Sequence, residues 1–322
     1  MTERARLQGR LGNLRQRASL LRAIRSFFDQ HDFLEIEAPI LVPSPGLELH
    51  LDAFAVSPTR YLITSPEYQM KRLLAGGLPR IFSLGKVFRR GELGPHHNPE
   101  FTMLEWYRAG AGWQAIADDV EALVWSLGQA VGYCGLDLQP PWERLSVADA
   151  VQRYANVRVD GDESAEALAE KARAAGHRTP ASNQRWDDVF FQLFLDAVEP
   201  HLGRERPTIL FDWPRPLAAL AREKPGDPRV VERFEAYAAG LELCNAFGEL
   251  VDPIEQRRRL EADLAERRRR GLPEYPIDEA FLSALADMPP SAGVALGVDR
   301  LAMLLLSASD IRDVLPFKDD EL

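Results

Sequence analysis

The stretch Phe88-Arg89-Arg90-Gly91-Glu92-Leu93-Gly94-Pro95-His96-His97-Asn98-Pro99-Glu100-Phe101 decides how this chain is read. It joins two runs with the pattern of strands, Arg80–Arg89 and Phe101–Arg108. Arginines close the first strand, and a loop with two histidines leads into the second. Guanidinium groups bind phosphate oxygens bidentately, so arginines at a strand end beside a polar loop are candidates for holding phosphate. Arg300 is a second candidate, because Val294–Leu306 reads as a strand feeding a helix. Neither GxxxxGKS/T nor GxGxxG occurs, so a nucleotide site here has to use side-chain cations. Taken singly, each arginine also fits an ordinary pairing with a surface carboxylate.

Outward from that hairpin, the order of elements is legible. Leu14, Ala18, Leu21, Ile24 and Phe28 recur at helical spacing and predict an amphipathic helix over 14–31. Phe33 to Leu41 alternates, which predicts a strand ended or placed on an edge by Pro39. Tyr61–Ser65 reads as a further strand and Gln114–Val131 as a second amphipathic helix. Residues 137–186 differ in character, with Pro140, Pro141, the acidic stretch Asp160–Glu163 and a polar helix over Ala165–Ala175. They are expected to be a subdomain inserted at about 137–186 into a single catalytic domain spanning 1–322. Trp186–Val198 follows as a helix and Thr208–Trp213 as a strand. Arg233–Ala239 and Leu241–Val251 read as a hairpin around Gly240. Glu255–Gly271 reads as a charged helix with a glycine C-cap, its seven arginines from Arg257 to Arg270 a solvated face. Strands adjacent in sequence, without βαβ alternation, predict an α+β fold with a mainly antiparallel sheet flanked by helices.

Composition narrows the class. The 322 residues are 46% hydrophobic and 27% charged, the mix of an ordinary globular protein. A net charge of −10 argues against a general nucleic-acid binder. Two cysteines, Cys134 and Cys244, make no CxxC and no disulfide framework, which suits the cytoplasm. The N-terminus has no apolar signal core, and the apolar run Gly293–Ser307 is split by Asp299 and Arg300, so no membrane span is expected. His96 and His97 lack partners at metal-ligand spacing and are not read as ligands.

Three segments together carry a family resemblance. Phe88-Arg89 through Met103-Leu104-Glu105-Trp106-Tyr107 resembles motif 2 of the class II aminoacyl-tRNA synthetases. Gly293-Val294-Ala295-Leu296-Gly297-Val298-Asp299-Arg300 resembles their motif 3. Phe33-Leu34-Glu35-Ile36-Glu37-Ala38-Pro39-Ile40-Leu41 resembles motif 1, whose proline lies at the dimer interface. The order is the family's, from about Leu14 to the C-terminus. Thr64-Ser65-Pro66-Glu67-Tyr68-Gln69-Met70-Lys71-Arg72 and Leu241-Glu242-Leu243-Cys244-Asn245-Ala246-Phe247-Gly248-Glu249-Leu250 are similar to lysyl-type segments.

The resemblance implies a class II synthetase catalytic core, dimeric through motif 1, that uses ATP. It implies that Arg89 contacts the α-phosphate and Arg300 the γ-phosphate, both as catalytic residues. Phe101 would stack on adenine, with Asn98, Leu243 and Gly297 beside the nucleotide. Glu242 and Glu249 would hold Mg²⁺. Ser65, Glu67, Tyr107, Glu249 and Ala295 would line the amino-acid pocket. The chemistry agrees: a diamino acid needs carboxylates and a phenol, and magnesium takes hard oxygen ligands. Adenylate formation is an in-line attack by a carboxylate on phosphorus and asks for positioning and charge neutralisation.

Only 32 residues precede Phe33, too few for the five-stranded OB fold that reads an anticodon in lysyl-tRNA synthetases. A core of this kind without that domain is similar to the bacterial elongation factor P β-lysine ligases. That resemblance implies (R)-β-lysine as substrate and elongation factor P as acceptor; the acidic balance and the missing domain count against tRNA, and no membrane partner is expected. Ala295 stands where lysyl-tRNA synthetases have glycine, and its methyl would crowd an α-amino group. Two alternatives belong beside this reading: a minimal enzyme charging tRNA, and a non-catalytic regulatory paralogue. One departure from motif 2 is that Glu92 falls one place late. The arm from Arg4 to Arg25, seven arginines against Glu3, is read either as steering an acidic partner or as a frayed terminus.

Overall fold

The computed structural model describes residues 3–180 and 185–322. They divide into two compact units, one from residues 1–135 with 251–322 and one from 136–250. The first unit begins with helices α1 (Glu3–Gln8) and α2 (Leu11–Gln30). Short strands β1 (Leu34–Glu35), β2 (Leu41–Val42), β3 (Ala55–Ser57) and β4 (Arg60–Leu62) follow. Then come α3 (Glu67–Ala75), the long strands β5 (Arg80–Phe88) and β6 (Glu100–Ala109), and α4 (Trp113–Val131). The second unit holds β7 (Glu143–Ser146), α5 (Val147–Ala155), α6 (Ala165–Ala174) and α7 (Trp186–Ala197). It continues with β8 (Thr208–Pro214), β9 (Glu223–Lys224), β10 (Asp227–Ala238) and β11 (Leu241–Gly248). The chain returns to the first unit with α8 (Pro253–Arg270), α9 (Glu279–Leu285), β12 (Ser291–Gly297) and α10 (Val298–Leu305). No helix among the described residues is long and apolar enough to cross a membrane.

In the first unit the strands run β1-β5-β6-β12, with β1 parallel to β5 and the other pairs antiparallel. The register puts Glu105 opposite both Ser83 and Ala295, and Tyr107 opposite Ile81 and Gly293. Phe28 of α2 stacks on Phe82 and meets Trp106 edge-on, so the helix closes one side of this sheet. The second unit orders its strands β11-β10-β8-β7, with β9 beside β10. Its core is built around Phe190, Phe194 and Trp213. Ser146 and Ser164 cap α5 and α6 by accepting the backbone N–H three residues on.

Three expectations are corrected. The alternating run Phe33–Leu41 is not one strand: only Leu34–Glu35 and Leu41–Val42 pair. Pro39 has no N–H to give a ladder, and Leu34, Ile40 and Leu41 remain about half exposed. In α2 the buried face is Arg17, Leu20, Ile24, Phe27 and Phe28, whereas Ala18 is exposed. Arg17 turns inward because Asp299 is there, 2.5 Å from its Nη2. Arg6 and Arg10 likewise pair with Glu321 and Arg25 with Glu35, so the arm is helical from Glu3 and much of its charge is spent within the chain.

The third correction concerns the arginine run of α8. Asp252 caps that helix and Gly271 ends it, and Arg257, Arg258 and Arg259 pair with nearby glutamates. Arg267, in contrast, is fully buried. Its Nε donates to Pro273 O at 2.6 Å, and its Nη1 to Glu48 O, Leu49 O and Leu51 O at 2.9–3.3 Å. Its Nη2 reaches Asp52 Oδ1 at 2.6 Å, and the other Asp52 oxygen accepts from Arg90 at 3.0 Å. The planar fork with five donors is the group that can serve so many acceptors at once. Arg267→Met is expected to lower the unfolding free energy by about 3 kcal/mol or more in urea titration. Arg267→Lys should recover only a small part, because a single ammonium cannot span these carbonyls.

Candidate active site

Ser65 stands just before α3, Glu67 opens that helix, and Glu105 and Tyr107 share one face of β6. Glu105 Oε2 accepts from the Ser65 hydroxyl at 2.8 Å, and Oε1 accepts from the Tyr107 hydroxyl at 2.7 Å. Ser65 Oγ in turn accepts the backbone N–H of Glu67 at 3.1 Å. One helical turn on, Lys71 Nζ donates to Glu67 Oε1 at 2.6 Å. Glu105 is 1% exposed and the Lys71 side chain is sealed from solvent, while 12% of the Glu67 side chain still meets it. Gly293 lies under Tyr107: a Cβ there would sit 2.2 Å from the ring, closer than any real contact. The register fixes this, since Gly293 is the direct partner of Tyr107 and Ala295 that of Glu105.

The electrostatics of this cluster are one-sided. Burial, and then the negative charge of Glu67, raise the Glu105 carboxyl to about 8. The Tyr107 and Ser65 donors and the Lys71 charge offset this only in part. A carboxylate provided with two donors and still short of positive charge is suited to an incoming ammonium group.

The two arginines of the phosphate reading flank the same hairpin. Arg89 stacks over the Phe101 ring at 5.1 Å and donates from Nε to Thr64 O at 3.4 Å. Gly91 takes φ +86°, a left-handed turn, and Glu92 comes back to 3.7 Å from Arg89 Nη1. Arg90 turns away to Asp52. Arg300 opens α10 and its Nη2 meets His97 Nε2 at 2.5 Å. Asp299 beside it accepts the Thr102 N–H at 2.8 Å and pairs with Arg17, whose Nη2 also donates to Thr102 Oγ1 at 3.0 Å. Asn98 is buried, its Nδ2 donating to Glu100 O and its Oδ1 accepting from Asp319 N. Gly297 ends β12 immediately before the helix that carries Arg300.

Glu242, Leu243 and Glu249 belong to the second unit. Seven residues along a regular strand would put Glu242 and Glu249 on opposite faces. The β10–β11 register slips by one at Leu243, where Ala236 pairs with Cys244 but Tyr237 with Glu242. This bulge restores the parity and sets Glu242, Asn245, Phe247 and Glu249 on one face. Glu249 is fully buried, and the buried Oδ1 of Asn245 accepts no hydrogen bond. Opposite Asn245 on β10, Glu235 accepts from Arg233 at 2.7 Å and from Tyr237 at 2.6 Å. Burial raises its carboxyl to about 7; Arg233 pulls down and the Glu242 charge pushes up. Glutamate oxygens are of the hard type that magnesium takes, but among the described residues no three His, Cys, Asp or Glu side chains are gathered closely enough to hold a metal ion on their own.

Sequence reading named Ser65, Glu67 and Tyr107 but missed Glu105 and Lys71. Glu105 had a signal, a glutamate two residues before Tyr107 and so on the same face of the strand. Lys71 had only its i, i+4 spacing to Glu67, which is common on exposed helices.

Two outcomes are expected. Between pH 4.5 and about 8 the folded protein keeps a proton on Glu105 that the unfolded chain has lost, so this residue makes stability fall as pH rises through that window. Glu105→Gln should therefore gain on the parent as pH rises, by at most about 1.4 kcal/mol per pH unit in urea unfolding. Gly293→Ala should cost about 1–3 kcal/mol, because the Tyr107 ring has to move.

Comparison with known proteins agrees with this architecture. The family model described as "tRNA synthetases class II (D, K and N)" matches residues 4–321. The elongation factor P–(R)-beta-lysine ligase of Haemophilus influenzae strain PittGG is 44% identical over 319 residues, 96% of this chain and 95% of that protein. Proteins of the same name from Erwinia tasmaniensis and Klebsiella pneumoniae are each 42% identical, over 96% of this chain and 96% and 95% of their own length. The chain belongs to the class II tRNA synthetase family, in the group of the elongation factor P–(R)-beta-lysine ligases.

Proposed function

We propose that the chain joins (R)-β-lysine to the ε-amino group of a lysine on elongation factor P, at the expense of ATP. The observation that carries the amino-acid part is the buried Glu105, hydrogen-bonded by Ser65 and Tyr107 and still short of positive charge. The acceptor is supported by the names of relatives aligned over nearly the whole chain.

In the first step a carboxylate oxygen of the amino acid attacks the α-phosphorus, forming the acyl adenylate and releasing pyrophosphate. Arg89 neutralises the α-phosphate and Arg300 the γ-phosphate, with Phe101 against the adenine. Glu67, Glu105 and Tyr107 hold an amine of the substrate. In the second step the deprotonated acceptor amine attacks the acyl carbon, and AMP leaves as the amide forms. Glu242 and Glu249 would hold a magnesium ion, which would neutralise phosphate charge. The half-exposed Leu34, Ile40 and Leu41 around Pro39 are the surface we assign to a homodimer, and the cytoplasm is the compartment we assign.

The test is pyrophosphate exchange with ATP in the presence of (R)-β-lysine, α-lysine or neither. Exchange strongest with (R)-β-lysine, followed by mass addition of one β-lysyl group to elongation factor P, is the expected result. Arg300→Ala should lower exchange by at least a hundredfold. Ala295→Gly should narrow the preference for (R)-β-lysine, within the roughly 1–3 kcal/mol that one methyl commands. Exchange strongest with α-lysine, and transfer to tRNA, would overturn the reading.

A further inference from the structure

Lys71 is a buried cation without a part in the chemistry above. Its side chain has no solvent exposure, and its charge is directed at Glu67 Oε1, 2.6 Å away. The groups around it have one theme. From α3 come Glu67 and Lys71 itself, from β6 come Glu105 and Tyr107, and Ser65 links Glu67 N–H to Glu105. Behind them Tyr68 of the same helix stacks flat on Phe281 of α9 at 4.1 Å, an apolar backing that excludes water.

Two carboxylates this close repel, and Glu105, the more deeply buried, is the one driven towards its protonated form, which Lys71 opposes only in part. A buried ammonium fixed to one of them changes both its charge and its freedom. Glu67 lies at the first turn of α3 with 12% of its side chain open to solvent. The contact with Lys71 holds one of the two Glu67 oxygens.

We propose that Lys71 is a positioning residue for the amino-acid subsite, acting through Glu67: it holds that carboxylate in place and balances one of the two acidic charges, so that Glu67 and Glu105 together receive one substrate ammonium. This deepens the functional reading above and rests on it. Lys71 never touches the substrate, and its influence is confined to the amino acid. ATP, held by Arg89 and Arg300, does not sense it.

The experiment measures KM for amino acid and for ATP in pyrophosphate exchange for four proteins: the parent, Lys71→Met, Glu67→Gln and the double variant. Lys71→Met should raise the amino-acid KM at least tenfold and leave the ATP KM within twofold. In the Glu67→Gln background the same change should alter the amino-acid KM by less than twofold, because the residue through which Lys71 acts is already gone. Additive effects, or equal rises in both KM values, overturn the proposal and leave Lys71 a packing residue. If Lys71→Met does not fold, judged by circular dichroism and melting, Lys71→Arg decides: an amino-acid KM within threefold of the parent supports the proposal, and a tenfold rise with an unchanged ATP KM overturns it. Absence of any amino-acid-dependent exchange in the parent overturns the functional reading itself, and this proposal with it.

Discussion

The registration of β12 on β6 is the constraint on which the first unit depends. The ladder runs from Ser291 opposite Ala109 to Gly297 opposite Met103. Where it stops, the Asp299 carboxylate takes over by accepting the N–H of Thr102. A slip of one residue would turn every side chain to the other face. The Tyr107 ring would then meet a side chain where Gly293 now lets it lie. Arg17, reaching in from α2, makes the slip costlier still, because Asp299 displaced from its guanidinium would leave two buried charges unpaired.

The same logic governs β10 and β11 in the second unit, with an irregularity in place of regularity. Glu242 and Glu249 come to one face because the strand carries an extra residue at Leu243. In the first unit one lysine stands against two acids, and Glu105 is driven towards its protonated form. In the second unit Arg233 stands against Glu235 with Glu242 nearby, and the balance again falls on the acidic side. Each unit thus presents buried carboxylates whose ionised form improves when a cation arrives.

Much of this was legible in the sequence, and the misses have physical causes. The hairpin of β5 and β6 declared itself as two strand-like runs with arginines at their turn, and α10 through the apolar run before Arg300. The α+β class followed from the order of elements, and the family model covers nearly the whole chain. Burial of charge was not legible. Lys71 and Arg267 sit in runs that look solvated, and only tertiary structure says that Glu67, or the carbonyls of 48–51, are waiting for them. The bulge at Leu243 leaves no mark in a run of ordinary strand residues. The alternation around Pro39 misled because it follows a surface that this chain leaves half uncovered by itself.

The hydrogen bonds of Arg267 have a consequence for how the first unit comes apart. Residues 48–52 belong to no helix or strand, so they have little order of their own to retain. One guanidinium gathers three of their carbonyls and the carboxylate of Asp52, and through Asp52 it reaches Arg90. When that side chain withdraws, three carbonyls and a carboxylate lose their shared donor together. The loop, the end of α8 and the arginine next to Arg89 are thus coupled through one side chain, so that loosening it weakens the hold on all three.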